Sequence, residues 1–101
     1  MTFDGYTIAQ LRQMHRAAFE DASDAFDGLF ENLGKQMELP YPSAEHAAVR
    51  AQQDALRAAV RDAAEHLRAL RMEIETREAE AEEAALDKIE YTALQCLHSP
   101  N

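Results

Sequence analysis

The chain has 101 residues, 47% of them apolar but only 7% aromatic, and its 19 acidic against 10 basic side chains give a net charge of −9. That balance argues against free nucleic acid and anionic membrane as ligands, because phosphate binding needs clustered Lys and Arg; the favoured partner is a protein with a basic surface. A single cysteine excludes an internal disulfide, and with no signal peptide or bilayer-length apolar run legible, a cytoplasmic location is expected.

The length fits one domain, residues 1–101. Much of the apolar content is alanine, which suits a thin helix–helix seam better than a thick core. Three Gly and three Pro leave too few turns for sheets. An all-α fold is expected.

After a short lead-in, Met1–Tyr6, Thr7 is placed to cap a helix. Ile8, His15, Ala22 and Leu29 then recur every seven residues, with Leu11, Ala18 and Ala25 beside them and Phe19, Phe26 and Leu33 on the flank. This amphipathic pattern predicts a helix over about 7–33. Gly34 is the expected left-handed stop, and Gly28 marks a close approach of backbones. Residues 34–42 form the loop, held extended by Pro40 and Pro42, with Leu39 and Tyr41 facing inward.

Ser43 caps a second helix, and Glu45 favours its positive end. From Ala44 to Leu97 there is no Gly, Pro or Asn, and Pro100 is the next breaker. The helix over about 44–97 would be ~80 Å long, against ~40 Å for the first. Val49, Leu56, Ala63 and Leu70 form its stripe, flanked by Val60, Leu67 and Ile74. The stripe fades through 75–83 and returns as Ala85, Leu86, Ile89, Ala93, Cys96 and Leu97. Helix propensity favours an unbroken rod over a corner near Thr76.

An antiparallel hairpin about the loop places opposite each other residues whose numbers sum to the high seventies. The first helix then runs out near residue 70, and an isolated helix is marginal in water. The overhang needs cover. A two-fold dimer, a helical bundle or coiled coil sealed by Ile74, Leu86, Ile89, Ala93 and Leu97, is one solution. A third helix folded back, or a different protein, are the others.

Charge is concentrated in two blocks. Glu20, Asp24, Asp27 and Glu31 line one face of the first helix. They read as a nucleic-acid mimic, as a solvated face, or as ion pairs, with Arg50 opposite Asp27 and Arg57 opposite Glu20 and Asp24. The second block, Glu78, Glu80, Glu82, Glu83, Asp87 and Glu90, meets only Lys88. It is the stronger candidate for an acidic, partner-binding patch.

No chemistry is legible. Asp62 and His66 share a face and His15 falls near Asp62, but no Glu-x-x-His unit occurs, so no metal or other cofactor is expected. Cys96 lacks neighbouring bases and reads as a small hydrophobe. Phosphate loops, nucleophile elbows and base-stacking surfaces are missing from the pattern, and the chain is not expected to be an enzyme.

A two-helix chain of this length resembles the small secreted WXG-type dimers. Its turn, Asn32-Leu33-Gly34, has no Trp, and Tyr91 is not followed by an acid four residues on, which excludes that family. In size and acidity the chain is similar in style to small phage-encoded inhibitors, including anti-CRISPR proteins. The expectation is an inhibitor or adaptor that covers a basic, nucleic-acid-binding surface of a protein partner. The alternative is a structural coiled-coil dimerisation module.

Overall fold

The computed structural model describes residues 3–98; Met1, Thr2 and Pro100 lie outside them. Two helices, α1 (Ile8–Glu38) and α2 (Ala44–His98), pack antiparallel as an elongated hairpin. Thr7 begins α1 with a capping box. Its hydroxyl accepts from the Gln10 N–H at 3.1 Å, and the Gln10 side chain accepts from the Thr7 N–H at 2.8 Å.

α1 does not stop at Gly34. One glycine costs a helix only about 1 kcal/mol, and Lys35, Gln36, Met37 and Glu38 carry it on. Pro40 ends it, because a proline ring disfavours α geometry in the residue before it. Leu39 is accordingly extended (φ −81°, ψ 145°), while its N–H still caps the Lys35 carbonyl at 3.0 Å. Nor does Gly28 mark a close backbone approach. A Cβ there would meet only Leu56 Cδ2, at 3.8 Å, an ordinary contact.

The loop is therefore residues 39–43, shorter than the sequence suggested. Leu39 is half-buried, but Tyr41 stands out in solvent with its ring edge against His46. The Ser43 hydroxyl donates to the Pro40 carbonyl at 2.6 Å and accepts from the His46 N–H at 3.0 Å, starting α2. α2 then runs 55 residues without a corner near Thr76. The molecule is 88 Å long, and its radius of gyration is 24.0 Å, where a compact chain of this size would have about 13 Å.

Three contacts fix the register. Asn32 Nδ2 donates to the Val49 carbonyl at 2.9 Å, Gln36 Nε2 to Gln53 Oε1 at 2.9 Å, and Arg12 Nη2 to Glu78 Oε1 at 2.6 Å. These numbers sum to between 81 and 90. The expected register was lower because the chain turns about five residues later than Gly34 would have it.

The seam is uneven. At the end remote from the loop, Leu11 and Leu70 are fully buried, with Ala18 and Phe3 beside them and Met14, Leu67 and Ile74 packed around. Ile74, partly buried, thus packs against the core of the single chain. At the loop end the buried residues are polar: Asn32 and Gln53, joined through Gln36 and Arg50.

The lead-in is also part of the fold. Arg77, three-quarters buried on α2, donates to the carbonyls of Phe3 (2.6 Å) and Tyr6. Glu73 holds the same guanidinium at 2.8 Å. Phe3 is thereby seated against the Leu11–Leu70 core.

Candidate functional site

Arg12–Glu78 is the last bond between the helices along α2. From residue 79 to residue 97 every side chain is exposed. This arm is a bare helix of about 30 Å. It is amphipathic all the same. Leu86, Ile89 (65% exposed), Ala93 and Leu97 (79% exposed) form a stripe along it.

The stripe does not continue the hairpin seam. Three- and four-residue steps from Leu70, Ile74 and Arg77 lead to Ala81, Ala84, Lys88, Tyr91 and Gln95. At about 100° per residue, the apolar stripe lies more than a third of a turn away from that line. A partner seated on it would approach from a different side than α1 does.

The arm's carboxylates fall into two groups. Glu78 is held by Arg12, and Glu82 sits in line with the apolar stripe. Glu80, Glu83, Asp87 and Glu90 occupy the neighbouring flank, about a quarter turn round the helix. Among the described residues none of Glu80, Glu82, Glu83, Asp87 and Glu90 forms an ion pair.

On α1, Glu20, Asp24 and Asp27 are likewise without an ion pair among the described residues, and Glu31 meets Lys35 at 3.4 Å. The expected neutralisation by Arg50 and Arg57 does not occur. The acidic stripe lies on the side of α1 opposite its buried face, so no residue of α2 reaches it. Arg50 instead donates to Gln53 Oε1 at 2.8 Å.

Two rows were not anticipated. Phe19, Phe26, Phe30 (62% exposed) and Met37 (88% exposed) stand along one side of α1, with the Phe26 and Phe30 rings 4.9 Å apart. Phe19 and Phe26 therefore border the seam without closing it. On the same side of the hairpin, α2 presents Arg50, Arg57, Arg61, Arg68 and Arg71. His15, Phe19, Ala64, Leu67, Arg68 and Arg71 line one shallow groove between the rows. The 7-4-7 spacing of the aromatic row was the available signal.

His15 faces this groove and not Asp62, which lies 3.9 Å from Arg61. Among the described residues no three His, Cys, Asp or Glu side chains are grouped to hold a metal, and no helix is long and apolar enough to cross a membrane. Compared with known protein families, curated proteins and solved structures, the chain matches none.

Proposed function

We propose that the chain is a non-enzymatic binding protein, an inhibitor or adaptor that docks its acidic arm on a basic surface of a protein partner, of the kind that nucleic acid otherwise occupies. One observation carries this reading: Glu80, Glu83, Asp87 and Glu90 crowd one flank of a bare helix and form no ion pair among the described residues. Like charges at three- and four-residue spacing destabilise a helix by a few tenths of a kcal/mol per pair. A basic partner would reverse the sign of that term. Glu20, Asp24, Asp27 and Glu31 supply a second acidic surface on α1, about 40–65 Å of rod away from the arm's tip.

The test is affinity capture with the full chain, followed by a salt ramp from about 0.05 to about 0.5 M. The captured protein should be basic, should release early in the ramp, and should be displaced by duplex DNA. Replacing Glu83, Asp87 and Glu90 together by Lys should abolish capture while circular dichroism stays helical. Undiminished capture by that variant would reject the reading.

A structural reading has its own observation. The apolar stripe of the arm calls for cover that acidity alone does not supply, and a second protomer is one source of it.

A further inference from the structure

We infer that the arm of one chain docks in the aromatic and arginine groove of a second copy, and receives that copy's arm in return. The inference does not rest on the acidic-flank reading above; the apolar stripe and the acidic flank lie side by side on the arm, and the variants below leave Glu80, Glu83, Asp87 and Glu90 unchanged.

It begins with a single line of residues along α2. Steps of three and four connect Arg57, Arg61, Ala64, Arg68 and Arg71 through Glu75, Glu78 and Glu82 to Leu86, Ile89, Ala93 and Leu97. The line is basic on one side of Glu75, acidic just beyond it, and apolar at the tip. Such an arrangement is self-complementary under a two-fold axis crossing α2 near Glu75. An antiparallel second copy then sets Arg71 beside Glu78, Arg68 beside Glu82 and Ala64 beside Leu86, while Arg61 and Arg57 lay their aliphatic stems beside Ile89 and Ala93. Arg68 has no ion pair among the described residues, and Arg71 has only a loose one with Glu75 at 3.9 Å.

The apolar groups match as well. In this pairing the arm runs parallel to α1 of the other copy. Phe19, Phe26 and Phe30 step seven and then four, as do Leu86, Ala93 and Leu97. Leu86 therefore enters the groove lined by His15, Phe19, Ala64 and Leu67, while Ala93 and Leu97 fall against Phe26 and Phe30. Each half of the dimer becomes a three-helix bundle of α1, α2 and the visiting arm.

The area is sufficient. A rod about 30 Å long and about 10 Å wide offers about 300 Å² along one side. Two arms and the two grooves beneath them give about 1,200 Å², the lower bound for a specific, stable interface. An aromatic row with hydrophobic knobs opposite it, ringed by charge pairs, has the composition of such an interface.

Sedimentation equilibrium on the full chain should give twice the monomer mass. Arg68→Glu should weaken the dimer about tenfold or more, as should Glu82→Arg, which leaves the Arg12–Glu78 bond in place, the helical signal being unchanged in both. Mixing the two variants should restore it, because every contact in the mixed pair is again between opposite charges. A disulfide supplies the geometric check. With Cys96→Ser, cysteines introduced by Phe19→Cys and Leu86→Cys lie about 30 Å apart along one chain, so oxidation can join them only between copies. A covalent dimer supports the inference. A wild-type monomer at all concentrations, a dimer indifferent to the arginine reversal, or failure of the two variants to rescue each other would overturn it.

Discussion

Arg77 reaches across 74 positions of sequence to donate from Nη2 to the carbonyl oxygen of Phe3 at 2.6 Å. The same guanidinium holds Tyr6 and Glu73, so one side chain ties the N-terminal lead-in to the second helix. Hydrogen bonds to charged groups contribute about 1.5–3 kcal/mol net. Arg77→Ala should therefore destabilise the chain by about 2 kcal/mol, read as a shift in the denaturant midpoint. Amide exchange at Tyr6 should accelerate. Arg77→Lys, which lacks the planar fork, should recover only part of the loss.

Gly28 and Gly34 both lie inside α1, and neither has a neighbour that a methyl group would displace. Gly28→Ala and Gly34→Ala should each stabilise the chain by about 0.5–1 kcal/mol. In a chain of this size that corresponds to a melting temperature higher by roughly 2–8 °C per substitution. A fall in melting temperature for Gly34→Ala would show that the helix breaks there after all.

Leu70 and Leu86 are the same residue type on one helix in opposite surroundings. Leu70 is fully buried, so Leu70→Ala should cost about 2–5 kcal/mol in transfer and cavity terms. Leu86→Ala should leave the hairpin's own stability within about 0.5 kcal/mol, as surface changes do. Under the arm-in-groove docking inferred above, its effect should appear in the self-association constant instead. Thermal melts at several protein concentrations separate the two.

Asn32 and Gln53 are buried polar residues in the seam. Asn32→Ala removes the donor to the Val49 carbonyl and leaves Gln36 one partner fewer. A loss of about 1–2 kcal/mol is expected. Replacing Asn32 and Gln53 both by Leu should restore stability but loosen the register. A second set of amide resonances around Val49 would report that slippage.

The two helices, their antiparallel packing and the unbroken course of α2 were legible because they follow from local rules. A stretch without Gly or Pro has no reason to stop, and Thr7 and Ser43 cap where their hydroxyls predict. Gly34 as a stop sets the turn about five residues early, whereas the rigid ring of Pro40 is the stronger breaker. That shift moved every cross-helix pairing, and it is one reason Arg50 and Arg57 were assigned to carboxylates they do not meet. The other is orientation: the acidic face of α1 points away from α2. The Arg77 clasp leaves no trace in periodicity, since its acceptors are backbone carbonyls that any residue carries. The aromatic row is visible in the sequence as a flank of the seam, because periodicity alone does not separate the edge of a buried stripe from an exposed one beside it.

Because α2 is one uninterrupted helix, the azimuth of its tip is keyed to the hairpin like a cam on a shaft. A single residue inserted after Glu80 would leave the paired portion intact yet swing Leu86, Ile89 and Leu97 round by about 100°. Between Glu80 and Leu86 a change of length would therefore re-aim every residue of the tip at once, whereas a point change alters only the one side chain it replaces.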